Sequence, residues 1–231
     1  MQKSSVVLFV AIILLTSCSL IAQDCKMFFP VEKGTEMTMK SYNAKDKLTG
    51  TSINKIMDKQ VDGNKIKVIF SSRSLDEKGK ETGNGQMEVK CEDGVFYFDM
   101  KNYLDDQMME AYKDMQVEIE SNNAMQFPGS LDIGASLPDA NIVVRISNQG
   151  IPMFSLSVNI TNRKIEGKET ITTPAGSYDC FKMTYDIESK TVMTVKMKGV
   201  DWFAENVGTV RSESLDKNGK LQGYTVLESI K

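Results

Sequence analysis

The side chains of this chain that could do chemistry are its carboxylates and its four cysteines, because the 231 residues include no histidine. Histidine is the commonest general base and metal ligand near neutral pH. Its absence excludes Ser-His and Cys-His nucleophilic schemes and nearly all catalytic zinc sites. The sequence therefore predicts a non-enzymatic protein with no cofactor and no metal, and any enzymatic alternative must rest on carboxylates, Lys or Tyr.

Two pairs of neighbouring carboxylates are the candidates for a hydrolase that uses carboxylates alone. Asp105 and Asp106 fall in the opening turn of a predicted helix, and Glu118 and Glu120 alternate along a predicted strand. Both are ordinary surface positions. A carboxylate hydrolase is therefore the least favoured of three functional hypotheses.

The cysteines stand at positions 18, 25, 91 and 180, and no two of them form a C-x-x-C pair. We favour a disulfide between Cys25 and Cys91, because Cys25 lies near the mature N-terminus and Cys91 lies beside the turn Glu92-Asp93-Gly94. A bond there would hold the loose end of the chain. The alternative, that the cysteines of the mature chain are small buried hydrophobic residues, stays open.

Residues 1–22 have the pattern of a secretory signal peptide. Lys3 precedes an apolar run from Val6 to Leu15, and this run is too short to span a membrane, which requires roughly 20 apolar residues. The sequence predicts an exported protein with no transmembrane helix in the mature chain.

Two processing signals overlap at the end of this segment. Leu15-Thr16-Ser17-Cys18 resembles a lipobox, which would anchor the protein to the outer membrane through a lipidated Cys18. Cleavage after Ala22 would instead release a periplasmic or secreted protein that begins at Gln23. We favour the second, because Leu20 and Ile21 continue the apolar run past Cys18.

The mature chain, residues 23–231, is predicted to be one β-rich domain, with a candidate seam near residues 121–139 where Pro and Gly cluster. Apolar and polar residues alternate from Phe154 to Thr161, which is typical of a half-buried strand. The same alternation occurs at 66–70, 96–100, 181–187 and 193–197. Turn dipeptides such as Asp62-Gly63 separate these segments, so the sheet is predicted to be antiparallel and built from sequence neighbours.

A weak internal repeat supports this organisation. Residues 41–50 align without gaps on residues 74–83 and 214–223. We interpret the repeat as one type of hairpin turn used three times. A calcium loop is the less favoured alternative, because the further oxygen ligands that such loops require are missing.

One segment has helical spacing. Leu104, Met108, Ala111, Tyr112 and Met115 recur at intervals of three and four residues after Asn102, a suitable N-cap. One amphipathic helix is too narrow to cover so many strands. The predicted fold is therefore a mostly β, antiparallel, strongly curved open barrel with this helix packed on it.

A curved sheet that is only partly covered would leave an apolar groove. Methionine suits such a groove because its side chain is unbranched and adaptable. The candidate lining residues are Met100, Met153, Phe154, Phe181, Met183, Met193 and Met197. Ordinary core packing is the alternative for each of them.

Three ordered motifs in the last third of the chain carry a family resemblance. They are TPAGSYDC at 173–180, WFAENVGTVRSE at 202–213 and DKNGKL at 216–221. Together they resemble the TapB-like family of uncharacterised exported bacterial proteins. The resemblance implies a fold similar to the lipoprotein-carrier class, an incomplete antiparallel barrel around a helix, and it implies no catalytic residues.

The charges narrow the range of partners. The net charge is -3 and the charged residues are interspersed, so no nucleic-acid partner is predicted. The leading hypothesis is a non-enzymatic exported module that binds an apolar small molecule or lipid. The alternative is a structural or protein-interaction component of the cell envelope, with an envelope protein as partner.

The processing site gives the first testable prediction. We expect the intact mass of the mature protein to correspond to a chain that begins at Gln23 without an added acyl group. Cys18→Ser should leave that mass unchanged. A mature mass that includes an acyl group in the wild type, and loses it in Cys18→Ser, would contradict this prediction.

Overall fold

The computed structural model describes residues 25–99, 110 and 112–231, and the elements bounded within these residues are all strands. The first seven are β1 Glu36–Asn43, β2 Leu48–Asp62, β3 Lys65–Asp76, β4 Glu81–Glu92, β5 Val95–Phe98, β6 Gln116–Asn123 and β7 Met125–Pro128. The remaining six are β8 Ala140–Asn148, β9 Ile151–Thr173, β10 Gly176–Lys190, β11 Thr194–Ala204, β12 Gly208–Asp216 and β13 Leu221–Ile230.

All thirteen strands belong to one sheet, in the order β6-β8-β9-β10-β11-β12-β13-β1-β2-β3-β4-β5-β7. Every neighbouring pair is antiparallel, and most pairs are consecutive hairpins. The prediction of an antiparallel sheet built from sequence neighbours is therefore confirmed.

The two edge strands, β6 and β7, are separated in the chain by Ala124 alone. Consecutive Cα atoms are about 3.8 Å apart, so the two edges must meet at this corner. They do not pair with each other in the sheet. The sheet therefore folds back on itself and brings distant strands face to face without closing its hydrogen bonding.

The predicted architecture, a curved open barrel with one amphipathic helix packed on it, is wrong. The sheet does not close into a barrel, and no helix is among the elements of the described residues. Most of the predicted helix, residues 100–109 and 111, lies outside the described part of the chain. Its described end, 112–115, is a turn that leads into β6, and Tyr112 and Met115 pack against β8 and β9. Their apolar spacing is thus accounted for by packing on the sheet.

One turn geometry closes three hairpins, as the internal repeat predicts. The first residues of these turns are Asn43, Asp76 and Asp216. In each, the backbone N–H of the first residue donates to the carbonyl four positions later, and its side-chain oxygen accepts the N–H groups two and four positions later, all at 2.8–3.2 Å. The backbone therefore uses these oxygens, which explains the repeated Asn or Asp without a cation.

The core lies on the inner face of the folded sheet, and Phe28 is at its centre. This residue precedes β1, in a segment where Met27 and Phe29 are also buried. The Phe28 ring packs at centroid distances of 5.1–6.3 Å against Phe96 of β5, Phe127 of β7, Phe181 of β10 and Phe203 of β11. The N-terminal segment thus fills the space between strands that are far apart in the sheet.

A disulfide holds this segment in place. Cys25 is bonded to Cys91 of β4, 66 residues later in the chain. This is the pairing that the sequence favours. The disulfide fixes the chain three residues before Phe28. The covalent bond and the packing of the Phe28 ring therefore hold the same N-terminal segment in place.

No helix in the described residues is both long enough and apolar enough to cross a membrane.

Reduction of the disulfide should destabilise the fold. Closing a loop of 66 residues restricts the unfolded chain by about 4 kcal/mol in the chain-entropy model. We expect urea unfolding with a reductant present to show a free energy of unfolding lower by about this amount. Cys25→Ala, which has no disulfide, serves as the control and should not respond to reductant. An unchanged wild-type unfolding midpoint on reduction would contradict the prediction.

Candidate ligand-binding cavity

A partly open cavity of about 380 Å³ lies on the inner face, next to Phe28. Its described lining is mainly aromatic and methionine side chains, with a smaller set of polar ones. The apolar lining residues are Phe28, Phe29, Met37, Met39, Phe96, Phe98, Met125, Phe127, Met183 and Phe203. The polar lining residues are Ser52, Asn54, Tyr185, Asp201, Thr209, Ser212 and Thr225.

A row of oxygen-bearing side chains crosses four adjacent strands at this cavity. Asp201 of β11 is directly opposite Ser212 of β12, which is opposite Thr225 of β13, which is opposite Ser41 of β1. The Ser212 hydroxyl donates to Oδ1 of Asp201 at 2.6 Å, and the Ser41 and Thr225 hydroxyls are 2.9 Å apart. Directly opposed residues on one face have close Cβ atoms, so the sheet register itself assembles this row.

Tyr185 reaches the same carboxylate from β10. It is opposite Gly199 of β11, and a Cβ at position 199 would overlap the Tyr185 ring. The absence of a side chain at Gly199 lets the ring lie across the neighbouring strand. Its hydroxyl then donates a hydrogen bond to Asp201.

Burial raises the pKa of Asp201 above its usual value of 3.8, while hydrogen bonds from Ser212 and Tyr185 and the charge of Arg163 oppose the shift. The carboxyl is deep within the protein, yet it keeps some accessible surface because it faces the cavity. The folded protein holds this proton to higher pH than the unfolded chain does. The contribution of Asp201 to stability therefore falls as the pH rises from 3.8 through its raised pKa.

Arg163 is the buried cation of this region. It lies on β9, is 1% exposed, and is not among the described residues that line the cavity. Its guanidinium donates to the carbonyl oxygens of Pro138 at 2.6 Å and Gln126 at 3.2 Å, and it lies 4.9 Å from the centroid of the Phe127 ring. A buried charge needs such hydrogen bonds, and here they join the 129–139 loop and β7 to β9.

The structure places the predicted groove residues in different environments. Met183 lines the cavity, and Phe181 packs against Phe28 and Phe203 at its edge. Phe154 packs in a separate cluster on β8 and β9. Met197 is half-buried away from the cavity lining, whereas Met153 is 60% and Met193 75% exposed. Met100 lies outside the described residues.

The other candidate residues do not meet at one site. Glu120 forms an ion pair with Arg145 at 2.6 Å, and Glu118 lies opposite the same arginine in the β6–β8 pairing, so an arginine at the edge of the sheet neutralises this carboxylate pair. The free Cys180 is buried, and burial raises the pKa of its thiol to about 11, which keeps it protonated. Asp105, Asp106 and Cys18 lie outside the described part of the chain.

A larger depression of about 460 Å³ lies across the outer face of β2, β3 and β4. Charged and polar side chains, including Lys55, Arg73 and Glu81, form most of its wall. It lacks the buried aromatic surface of the inner cavity. Across residues 25–99 and 112–231, no group of three or more acidic or cysteine side chains is arranged to hold a metal ion.

Sequence reasoning missed the most informative residues of the cavity. Asp201 stands on β11 where alternation requires an inward residue, between the inward-facing Gly199 and Phe203. A charged residue at an inward strand position was the available signal. Arg163 gave a similar signal within the long strand β9.

A family model described as DUF3108-like matches residues 32–227. The chain therefore belongs to the DUF3108-like family. The TapB-like name that the C-terminal motifs suggested is not confirmed by this match. No curated protein matches the chain.

Two solved structures resemble the chain along its length. One is a Bacteroides fragilis protein, assigned as an exported protein with a YmcC-like fold, at 28% identity and a TM-score of 0.74. The other is a Parabacteroides distasonis protein, assigned as a lipoprotein, at 29% identity and a TM-score of 0.74. Each match covers 90% of this chain and 100% of the other protein. The chain thus shares its fold with proteins assigned as exported or as lipoproteins.

The contact between Tyr185 and Gly199 can be tested directly. Gly199→Ala should displace the Tyr185 ring and weaken its hydrogen bond to Asp201, lowering the free energy of unfolding by roughly 1–3 kcal/mol, as overpacking does. Gly167→Ala on β9 is the matched control, because its Cβ would meet no atom within 4 Å. Equal urea unfolding midpoints for the two variants would show that the ring does not depend on Gly199.

Proposed function

We propose that this DUF3108-like protein is an exported, non-enzymatic module that binds an apolar or amphipathic small molecule in the inner cavity. The observation that carries the proposal is the cavity itself, with ten apolar described side chains around it. Its volume of about 380 Å³ falls within the roughly 300–1,000 Å³ of small-molecule sites. A predominantly apolar wall with a few converging polar groups is the usual composition of such a site.

The methionines favour an adaptable site. Met37, Met39, Met125 and Met183 contribute to the wall from three different strands. Unbranched thioether side chains fill irregular space and adjust to ligands of varied shape. The cavity therefore suits a flexible apolar chain better than one rigid ligand.

Export is supported by two further observations. The first is the Cys25–Cys91 disulfide, because disulfides form and persist in oxidising compartments outside the cytoplasm. The Bacteroides fragilis and Parabacteroides distasonis relatives are assigned as an exported protein and a lipoprotein. Together with the signal-like residues 1–22, they favour function in the periplasm, outside the cell, or at a membrane through a lipidated Cys18.

A second candidate function is an interaction module of the cell envelope, and the exposed apolar side chains at one end of the sheet favour it. Val192 and Met193 lie at the β10–β11 tip, and Ile151 and Met153 lie beside the β8–β9 turn. The pairing of Lys190 with Ser157 puts both tips at the same end. Exposed apolar side chains gathered in one place are typical of binding surfaces.

A cavity-filling variant distinguishes the two functions. The neutral apolar fluorophore N-phenyl-1-naphthylamine should bind the wild type saturably, with a rise in emission. Ser52→Phe places a ring into the cavity and should weaken this binding by about tenfold or more. Thr51→Phe is the matched control, because neighbouring residues of β2 face opposite sides of the sheet, and it should bind like the wild type.

Two results would contradict ligand binding in the cavity. One is the absence of saturable binding to the wild type, which is the result expected of an interaction module with a filled core. The other is an equal loss of binding in Ser52→Phe and Thr51→Phe, which would place the fluorophore elsewhere.

A further inference from the structure

The polar side chains are confined to one part of the cavity wall, whereas apolar side chains occur in all of it. The N-terminal segment, β5 and β7 contribute only apolar lining residues, among them Phe28, Phe96 and Phe127. The polar lining residues come from β2 and from the run β10 to β13. A ligand in this cavity therefore meets a wholly apolar wall on one side and, on the other, a mixed wall in which oxygen-bearing side chains stand among Met183, Phe203 and the methionines of β1.

The polar side consists mainly of hydrogen-bond acceptors and hydroxyls. Asp201 is its one charged residue among those described. Ser212 and Tyr185 donate to this carboxylate, and they use two of its roughly four acceptor positions. Acceptor capacity remains toward the cavity, and the hydroxyls of Thr209 and Thr225 add to it.

The described cavity wall carries negative charge, from Asp201, and no positive charge. No Lys or Arg is among the described lining residues. Arg163, the buried cation of this region, donates through its guanidinium to the carbonyls of Pro138 and Gln126. Its charge favours the ionised form of Asp201, and it is not among the described residues that line the cavity.

We propose that the cavity selects amphipathic molecules by their head group, taking hydrogen-bond-donating heads, amines ahead of alcohols, and rejecting carboxylate or phosphate heads. The inference rests on the proposed function, because it assumes that a ligand enters this cavity. The apolar chain lies against the Phe28 wall, and the head donates to Asp201 at the polar wall. Charge-assisted hydrogen bonds to a carboxylate are about twice as strong as neutral ones, so an ammonium head is preferred.

Three probes with the same ten-carbon chain test this selection. Decylamine, decanol and decanoate compete at neutral pH, below micelle formation, with bound N-phenyl-1-naphthylamine on the wild-type protein. We expect decylamine to displace the fluorophore at a concentration about tenfold or more below that of decanoate, with decanol between them. Equal potency, or decanoate as the best competitor, would overturn the head-group inference and leave the proposed function standing.

Asp201→Asn tests whether this carboxylate is the selecting group. The amide keeps the shape and the acceptor for Ser212, and it should bring decylamine and decanoate to similar potency while decanol is little changed. Asp186→Asn is the matched control, because its half-buried carboxylate accepts a hydrogen bond from Asn162 outside the described cavity lining, and it should keep the wild-type order. If circular dichroism shows that Asp201→Asn is not folded, Asp201→Ser is used in its place.

The outcomes separate the two proposals. Loss of the preference in Asp201→Asn alone supports the inference, and an unchanged preference in that variant overturns it. Failure of the fluorophore to bind the wild type overturns both the inference and the proposed function.

Discussion

The packing of Phe28 against four phenylalanines is the interaction on which the rest of this structure depends. A sheet of thirteen strands that folds over without closing its hydrogen bonds must fill the space between the two sides of its inner face. The N-terminal segment fills part of that space. Because Phe96 and Phe127 come from one part of the sheet and Phe181 and Phe203 from another, the Phe28 ring bridges the two sides of the fold, next to the direct contact between Phe127 and Phe203.

The same arrangement produces the cavity. A short segment that carries Met27, Phe28 and Phe29 fills only part of the space that the sheet encloses. Beyond Phe28, the inner face changes from aromatic residues to the row that begins at Asp201. Site and scaffold are thus not separate: the aromatic packing that stabilises the fold is also the apolar wall of the cavity.

The local features were predictable from the sequence because each depends on a few neighbouring residues. Alternation identified the strand at Phe154 to Ile160, and the repeated turn that starts at Asn43, Asp76 and Asp216 follows from the backbone bonds that Asn and Asp make. No helix is among the elements of the described residues. At the described end of the predicted helix, Tyr112 and Met115 lie in a turn and pack on the sheet, which apolar spacing alone does not distinguish from a helix. Alternation also shows that two faces differ without showing which is inward, so exposed Met153 and buried Met183 looked alike. Contacts such as Tyr185 with Asp201 depend on the strand register, which a single sequence does not give.

The position of Phe28 in the chain also determines when the core can form. A chain is synthesised from its N-terminus, so Phe28 is among the first residues made, while Phe203 is among the last. The central packing interaction cannot form until almost the whole chain exists, and until then the aromatic segment has no complete partner. Cys91, by contrast, follows Cys25 by only 66 residues. Their bond can form while β8 to β13 are still unfolded, and it would keep the segment beside β4 until the last strands arrive to enclose it.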